Sequence, residues 1–225
     1  MRRILMRRTV MPLIALPLLV FAALACAGSP TADSFEVERE VVELTIARLH
    51  EALALDQTTC REVVGAYLDR IAAYDARLGA ITVVNPRALE VADSLDALRR
   101  SGQPLGALHC VPMLVKDNFD THDLVTTAGS IALRDNLPPD DAFMVRRIRE
   151  AGAVIIAKTN MAEWAFSPRE TVSSSFDTTR NAYALDRVPA GSSGGTASAV
   201  AASLGGRPGP DGARCAGSPG SSCSG

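Results

Sequence analysis

Apolar residues recur at helical spacing through the first half of the chain. The pattern over residues 41–55 predicts one helix, with Val, Leu and Ala at every third or fourth position. The sequence Thr59–Glu62 fits a capping box and predicts the start of a second helix that runs to about Asp75. A third helix is predicted from Pro86 to about Arg100.

Short apolar runs alternate with these helices. The β-branched run 80–84 predicts a strand, and the nearly continuous apolar runs 111–115 and 153–157 are typical of buried strands. The second and third strands are followed by Lys116 and Lys158. Alternating helices and strands predict an α/β fold.

A further helix is predicted between the two buried strands, over residues 138–152. Either Asp140 or Asp141 would cap its first turn. The apolar positions expected to face inward are Phe143, Val145, Ile148 and Ala151.

A stretch of small residues at 189–202 contains two adjacent serines, Ser192 and Ser193, between glycines. Glycine tolerates positive φ and close backbone approach. The Ala- and Val-rich run that follows predicts a helix whose free N–H groups point back at the loop. Such a loop suits a reactive hydroxyl or a bound anion.

The N-terminus has the pattern of a targeting segment over residues 1–27. Four arginines precede the apolar run Val10–Leu24, and Ala23–Ala25 offers a small-x-small cleavage site. Cys26 follows that site, as in a bacterial lipoprotein signal. We therefore expect an exported protein, either periplasmic or anchored to the membrane through a lipidated Cys26, with residues 28–40 as a linker.

Charge and cysteine content narrow the function classes. The formal net charge is -2, so no basic footprint favours a nucleic-acid partner. Of the five cysteines, Cys60 and Cys110 either pair after export or lie buried as small hydrophobic residues. No Cys/His cluster has metal-ligand spacing, so no metal is expected. His109 and His122 are interpreted as structural, and Trp164 as a core residue.

Lys116 has two interpretations. A lysine after a buried strand often pairs with an acid, and Asp117 and Asp120 are close in sequence. Alternatively, desolvation lowers the pKa of Lys116 below about 10.4, so that its amine acts as a general base. The residues alone leave both open.

Two short motifs suggest other chemistry. Gly191–Gly195 matches Gly-x-Ser-x-Gly, which would make Ser193 the nucleophile of an α/β-hydrolase esterase. That elbow must follow a buried strand, but residues 186–190 are polar and contain proline, and no histidine follows it. Gly152–Thr159 approaches a phosphate-binding loop, but Ala157 replaces its second glycine.

Taken together, the motifs resemble those of the amidase signature family. The resemblance covers about residues 41–204, the expected N-terminal part of an amidase domain. Its motifs occur in the family's order: Leu108–Asn118, Thr127–Ser130, Ala151–Trp164 and Gly191–Gly195.

The resemblance implies an α/β fold with a mixed β-sheet core flanked by helices, a Ser–cis-Ser–Lys triad and no cofactor. Lys116 would be the lysine, and Ser192 the bridging serine with a cis peptide bond. Gly191, Ser193, Gly194 and Gly195 would support the loop, together with Thr196 and Ser198. The implied reaction is hydrolysis of a small-molecule or peptide carboxamide to an acid and an amine or ammonia.

The chain departs from the family after residue 204. The nucleophilic serine of the family lies downstream, in a Thr-Asp-x-Gly-Gly-Ser-like stretch that residues 205–225 lack. Codons for Gly-Ser-Val-Arg (GGC TCG GTG CGC), read one base late, give Ala-Arg-Cys-Ala, the sequence of residues 213–216. We therefore expect residues 205–225 to be a frameshifted tail, and the sheet to be incomplete.

Three functions follow as hypotheses. The first is an exported amidase acting on peptide or aryl amides, whose nucleophile is absent from this chain, so that the chain as written is inactive. Export favours this over the branch of the family that acts on charged tRNA. The second is a non-catalytic remnant or binding lipoprotein, and the third an esterase using Ser193.

Overall fold

Three strands form the sheet around which the chain folds. The computed structural model describes residues 35–206, and its sheet has the order β1 (Ile81–Val84), β3 (Val154–Thr159), β2 (Pro112–Lys116). The central strand β3 pairs antiparallel with β1 and parallel with β2. All six residues of β3 are buried. The expected α/β class with a mixed sheet is confirmed.

The register of β2 and β3 separates the two lysines. Lys116 pairs with Thr159, whereas Lys158 pairs with Val115. Side chains at paired positions share a face of the sheet, and successive residues alternate between faces. Lys116 and Lys158 therefore project from opposite faces.

Within residues 35–206, six α-helices surround the sheet. The longest, α3, begins at the predicted capping box: the Thr59 hydroxyl accepts a hydrogen bond from the Glu62 N–H, and the Glu62 carboxylate accepts one from the Thr59 N–H. It ends at Gly79, whose φ of 60° is left-handed. The helices are α1 (Val37–Glu40), α2 (Ile46–Ala54), α3 (Cys60–Leu78), α4 (Ala88–Arg100), α5 (Phe143–Glu150) and α6 (Gly194–Ala201).

The first predicted helix is shorter than expected. Helix α2 starts only at Ile46, because Thr45 is its N-cap and accepts a hydrogen bond from the Arg48 N–H at 3.2 Å. Before it, Glu43 has a φ of 64°, which turns the chain. The expected linker also differs at its described end, where α1 forms and Phe35 is buried.

Helix α5 begins five residues later than expected, and neither aspartate caps it. Ala142 is the N-cap, while Asp141 accepts a hydrogen bond from the His122 N–H at 3.0 Å and pairs with Arg149. Of the four residues expected to face inward, only Val145 is fully buried, and Phe143 is 66% exposed.

Two apolar clusters cover the two faces of the sheet. Val154 and Ile156 belong to the larger cluster, which includes buried residues of α2, α3, α4 and α6. Ile155 belongs to the smaller cluster, together with Val115, Leu124 and Val145. Within residues 35–206, no helix has the length and apolar content needed to cross a membrane.

Beyond α6 the chain returns to β2. The N–H of Gly206 donates a hydrogen bond to the Pro112 carbonyl at 2.7 Å. Gly205 lies against the Leu114 side chain. The expected targeting segment over residues 1–27, which includes Cys26, and residues 207–225 lie outside the described residues.

Candidate functional site

Lys116 and Ser192 meet at the carboxyl end of β2. They are separated by 76 positions in sequence, yet Lys116 Nζ lies 2.8 Å from Ser192 Oγ, within hydrogen-bond distance. Lys116 is the last residue of β2, and Ser192 lies in the loop before α6. The fold thus joins the two residues that the resemblance assigns to a lysine–serine relay.

Burial lowers the pKa of Lys116 below its ordinary value of 10.5. The acid next to it in sequence, Asp117, faces away and pairs with Lys158 instead. A lysine without a carboxylate partner loses its proton more readily when it is desolvated. The amine of Lys116 is therefore suited to accept a proton from a hydroxyl.

The Ser192 loop is tightly held from both sides. The Gly191–Ser192 peptide bond is cis, as the resemblance implies. The Gly191 N–H donates to the Pro168 carbonyl at 3.1 Å, and the Ser192 carbonyl accepts from the Ala162 N–H at 3.0 Å. A Cβ at position 191 would lie 2.3 Å from the Glu170 carbonyl oxygen, so only glycine fits.

Thr171 fixes the start of α6. Its hydroxyl donates to the Ala190 carbonyl at 2.8 Å and accepts from the Gly194 N–H at 3.0 Å. Gly195 follows so close to β3 that a Cβ there would lie 2.2 Å from the Asn160 carbonyl oxygen. Gly195 thus lets the helix lie directly on the end of the strand, while Gly194 fits closely against Thr171.

The remaining hydroxyls of the small-residue stretch have different surroundings. Thr196 Oγ1 lies 2.6 Å from Thr159 Oγ1, which links α6 to β3. Ser198 is buried and donates to the Arg180 carbonyl at 2.6 Å. Ser193 is exposed at the N-cap position of α6.

The chain's three histidines all lie within the described residues, and each has its contacts elsewhere. His50 Nε2 lies 3.0 Å from the His109 carbonyl oxygen, and His109 lies beside Cys60. His122 pairs with Asp141. No described strand leads into Ser193 either. Nothing in residues 35–206 therefore activates Ser193 in the way that an esterase requires.

A buried ion pair lies behind the site and was not predicted from the sequence. Lys158 Nζ lies 3.7 Å from Asp117 Oδ1, and both side chains are fully buried. The signal was present in the sequence, because Lys158 follows a buried strand and Asp117 lies next to Lys116. The register of β2 and β3 decides which of the two lysines pairs with Asp117, and the sequence does not reveal that register.

A cavity of about 280 Å³ lies beside the Lys116 amine. Its walls are mainly apolar and come from β2, α5 and the start of α6. The lining residues are Leu114, Val115, Lys116, Phe119, Met144, Val145, Ile148, Ser193 and Thr196.

Cys60 and Cys110 form a buried disulfide, with their Cα atoms 5.2 Å apart. This Cα separation is normal for disulfides. The ring of His109 lies beside them, so potential ligand atoms of three residues lie within 4.8 Å of one another, a cluster that the sequence spacing did not predict. In the disulfide the two sulfurs offer no thiolate, the form that binds metal.

A second group of potential metal ligands consists of His122, Asp123 and Asp141, and its carboxylates are already paired with an arginine. Arg149 donates to Asp123 at 2.6 Å and lies 3.0 Å from Asp141. The arginine already supplies the positive charge that a cation would bring.

Trp164 is not the core residue that its sequence predicts. Its side chain is 48% exposed, and its φ is 51°, in the left-handed region. The Trp164 N–H donates to the Ala128 carbonyl at 2.9 Å. This contact joins the Thr127–Ser130 motif to the segment after β3.

Comparison with known sequences identifies similar proteins. Residues 62–206 match the profile of the family described as Amidase. A glutamyl-tRNA(Gln) amidotransferase subunit from Moorella thermoacetica is 46% identical over 164 residues, which cover 72% of this chain and 34% of that protein. The corresponding protein from Thermobifida fusca is 44% identical, with 72% and 33% covered. The chain thus spans about a third of the length of these curated relatives.

Solved structures of amidases are also similar to this chain. The native peptide amidase of Stenotrophomonas maltophilia superimposes with a TM-score of 0.69 at 42% identity, covering 73% of this chain and 35% of that one. An amidase family protein from Bacillus anthracis gives a TM-score of 0.70 at 33% identity, covering 75% and 35%. A bacterial aryl acylamidase of the amidase signature family gives 0.69 at 29% identity, covering 72% and 34%.

Proposed function

Because the chain belongs to the amidase signature family, we propose that it carries the lysine–serine part of an amide-hydrolysing site. Lys116 is the proton acceptor and Ser192 the relay. The observation that carries this proposal is the 2.8 Å contact between Lys116 Nζ and Ser192 Oγ. Burial, which lowers the pKa of Lys116, favours the neutral amine that the role requires.

In the proposed reaction, neutral Lys116 takes the hydroxyl proton of Ser192, and Ser192 takes the proton of a second, nucleophilic serine. The oxygen of that serine attacks the amide carbonyl, and backbone N–H groups stabilise the oxyanion. The relay then runs backwards and protonates the leaving amine. Water hydrolyses the acyl-enzyme, so that the overall products are a carboxylic acid and an amine or ammonia.

We infer that the nucleophilic serine belongs to sequence beyond Gly206 that this chain does not carry in frame. Gly206 is hydrogen-bonded to Pro112 at the start of β2, so later sequence would have to run the length of that strand to reach Lys116 at its other end. The cavity beside Lys116 offers room for such a segment. Reading the downstream DNA in three frames tests this: an in-frame Gly-Gly-Ser supports it, and a confirmed stop without one contradicts it.

Activity assays test the proposed role directly. The chain as written is expected to show no turnover of peptide amides or aryl amides, whereas the restored reading frame is expected to hydrolyse them. In the restored protein, Lys116→Met and Ser192→Ala should each lower kcat/KM by about a thousandfold or more. Ser101→Ala, at the exposed end of α4, is the matched control. If the unrestored chain hydrolyses amides and Lys116→Met abolishes this activity, the nucleophile is present in the chain and the inference is wrong. A restored protein that is inactive leaves the binding-lipoprotein or remnant hypothesis.

Export is proposed with the same function. The disulfide between Cys60 and Cys110 supports it, since disulfides persist in oxidising compartments outside the cytoplasm. An exported amidase would meet peptide and aryl amides and not charged tRNA. Expression in a bacterial host that is labelled with a palmitate analogue and then fractionated distinguishes the outcomes. A lipoprotein should carry the label, and Cys26→Ala should lose it. Periplasmic protein without label would indicate export without lipidation. Recovery of the protein in the cytoplasm would contradict both.

A further inference from the structure

The chain contains only two lysines, Lys116 and Lys158, among 23 lysine and arginine residues. Both lie at the carboxyl ends of neighbouring strands, and Lys158 is fully buried. Arginine stays charged in proteins, whereas lysine adapts to burial. The proposed mechanism uses Lys116 and leaves Lys158 without a role.

The ammonium group of Lys158 binds the chain segment that directly follows Lys116. Its Nζ donates to the Phe119 carbonyl at 2.8 Å, to Thr126 Oγ1 at 2.7 Å and to the Val125 carbonyl at 3.4 Å. Asp117 Oδ1 is the nearest carboxylate oxygen, at 3.7 Å. One cation therefore holds both arms of the loop that leaves β2.

Asp117 completes the arrangement on the other side of the pair. Its carboxylate accepts hydrogen bonds from the N–H groups of Thr127 and Gly129 at 3.3 Å, and also from the Thr127 hydroxyl. Its own N–H donates to the Thr159 carbonyl at 3.0 Å. The residue after Lys116 is thus fixed to β3 and to the loop at once.

We propose that Lys158 is a positioning residue, which holds the segment 117–129 so that Lys116 stays aligned on Ser192. This rests on the proposed role of Lys116. The two lysines project from opposite faces of the sheet, so Lys158 acts through the backbone and through Asp117. A residue that merely stabilises the fold would leave the environment of Lys116 unchanged in variants that still fold.

The pKa of Lys116 in the chain itself separates these roles. With only two lysines, selective ¹³C,¹⁵N-lysine labelling gives two side-chain signals, and Lys158→Met leaves one. Loosening the segment hydrates the Lys116 amine, so its pKa is expected to rise toward 10.5. Thr126→Val keeps the shape and removes the 2.7 Å acceptor of Lys158, so it should act in the same direction.

The matched control is Leu53→Ala, which opens a cavity in the buried face of α2. It lowers stability but should leave the pKa of Lys116 as in the unsubstituted chain. An unchanged Lys116 pKa in folded Lys158→Met overturns the inference. If Lys158→Met does not fold, an unchanged pKa in Thr126→Val overturns it in the same way. A Lys116 pKa that is already ordinary in the unsubstituted chain would instead contradict the proposed function.

Discussion

Gly195 and Asn160 are in direct backbone contact: a Cβ on Gly195 would lie 2.2 Å from the Asn160 carbonyl oxygen and 2.6 Å from its nitrogen. Helix α6 therefore rests directly on the chain leaving β3. Ser192 lies two residues before this helix begins, so the contact fixes the end of the loop that carries Ser192. The geometry of the lysine–serine pair thus depends on a residue that carries no chemistry of its own.

Gly195→Ala should move α6 away from the sheet. Backbone cannot yield as a flexible side chain does, so we expect a loss of about 2–3 kcal/mol in the free energy of unfolding, measured by urea denaturation. Gly65→Ala is the control, since a Cβ there meets nothing within 4 Å. It should gain about 0.5–1 kcal/mol from helix propensity. Equal stability of the two variants would contradict the tight contact.

Lys158 should make stability depend on alkaline pH. Burial lowers its pKa to about 8, although Asp117, Asp120 and Asp123 raise it. In the unfolded chain the pKa returns to its ordinary value of 10.5, so the unfolded state binds more protons between these values. The free energy of unfolding should therefore rise with pH, by about 2 kcal/mol between pH 8 and 10.

The trend should reverse at higher pH, since burial raises the pKa of Tyr67 to about 12. Above pH 10, the unfolded chain loses the tyrosine proton first, and stability falls. Urea denaturation at a series of pH values measures both effects. Lys158→Met should remove the part of the rise that Lys158 contributes and leave the part due to Lys116, whose pKa is also lowered by burial. Stability that is flat or falling from pH 8 to 10 in the unsubstituted chain would argue against a buried Lys158.

The disulfide can be tested by peptide mapping. Trypsin releases Cys60 in the peptide Leu49–Arg61 and Cys110 in Ser101–Lys116. Without reductant the two should be recovered as one linked species, and reduction should cost about 2–4 kcal/mol of stability. Cys60→Ser should lose the same amount of stability, and adding reductant should not change its stability further. Recovery of both peptides with free thiols would show that the cysteines do not pair.

Much of the fold was predictable because its signals are local. The capping box at Thr59 defines the start of α3, and the apolar runs define β2 and β3. Helix α5 was predicted too long because Asp141 binds His122 and Arg149 instead of capping the helix. Such competition between partners is tertiary, so local patterns do not reveal it.

Only part of the site could be predicted, because some of its features are local motifs and others depend on tertiary structure. The family motifs point to Lys116 and Ser192, which the structure brings together. Which lysine pairs with Asp117 depends on strand register, where one step moves a side chain to the other face. Trp164 is exposed and has left-handed backbone, and hydrophobicity alone predicts neither.

The most direct test of the account is the pKa of Lys116 in the unsubstituted chain, read from its labelled side chain by NMR titration. The Lys116→Met and Lys158→Met spectra assign the two signals. A proton acceptor held against Ser192 and desolvated by burial should titrate below 10.5. A Lys116 that titrates at or above 10.5 would contradict its role as the base of the relay.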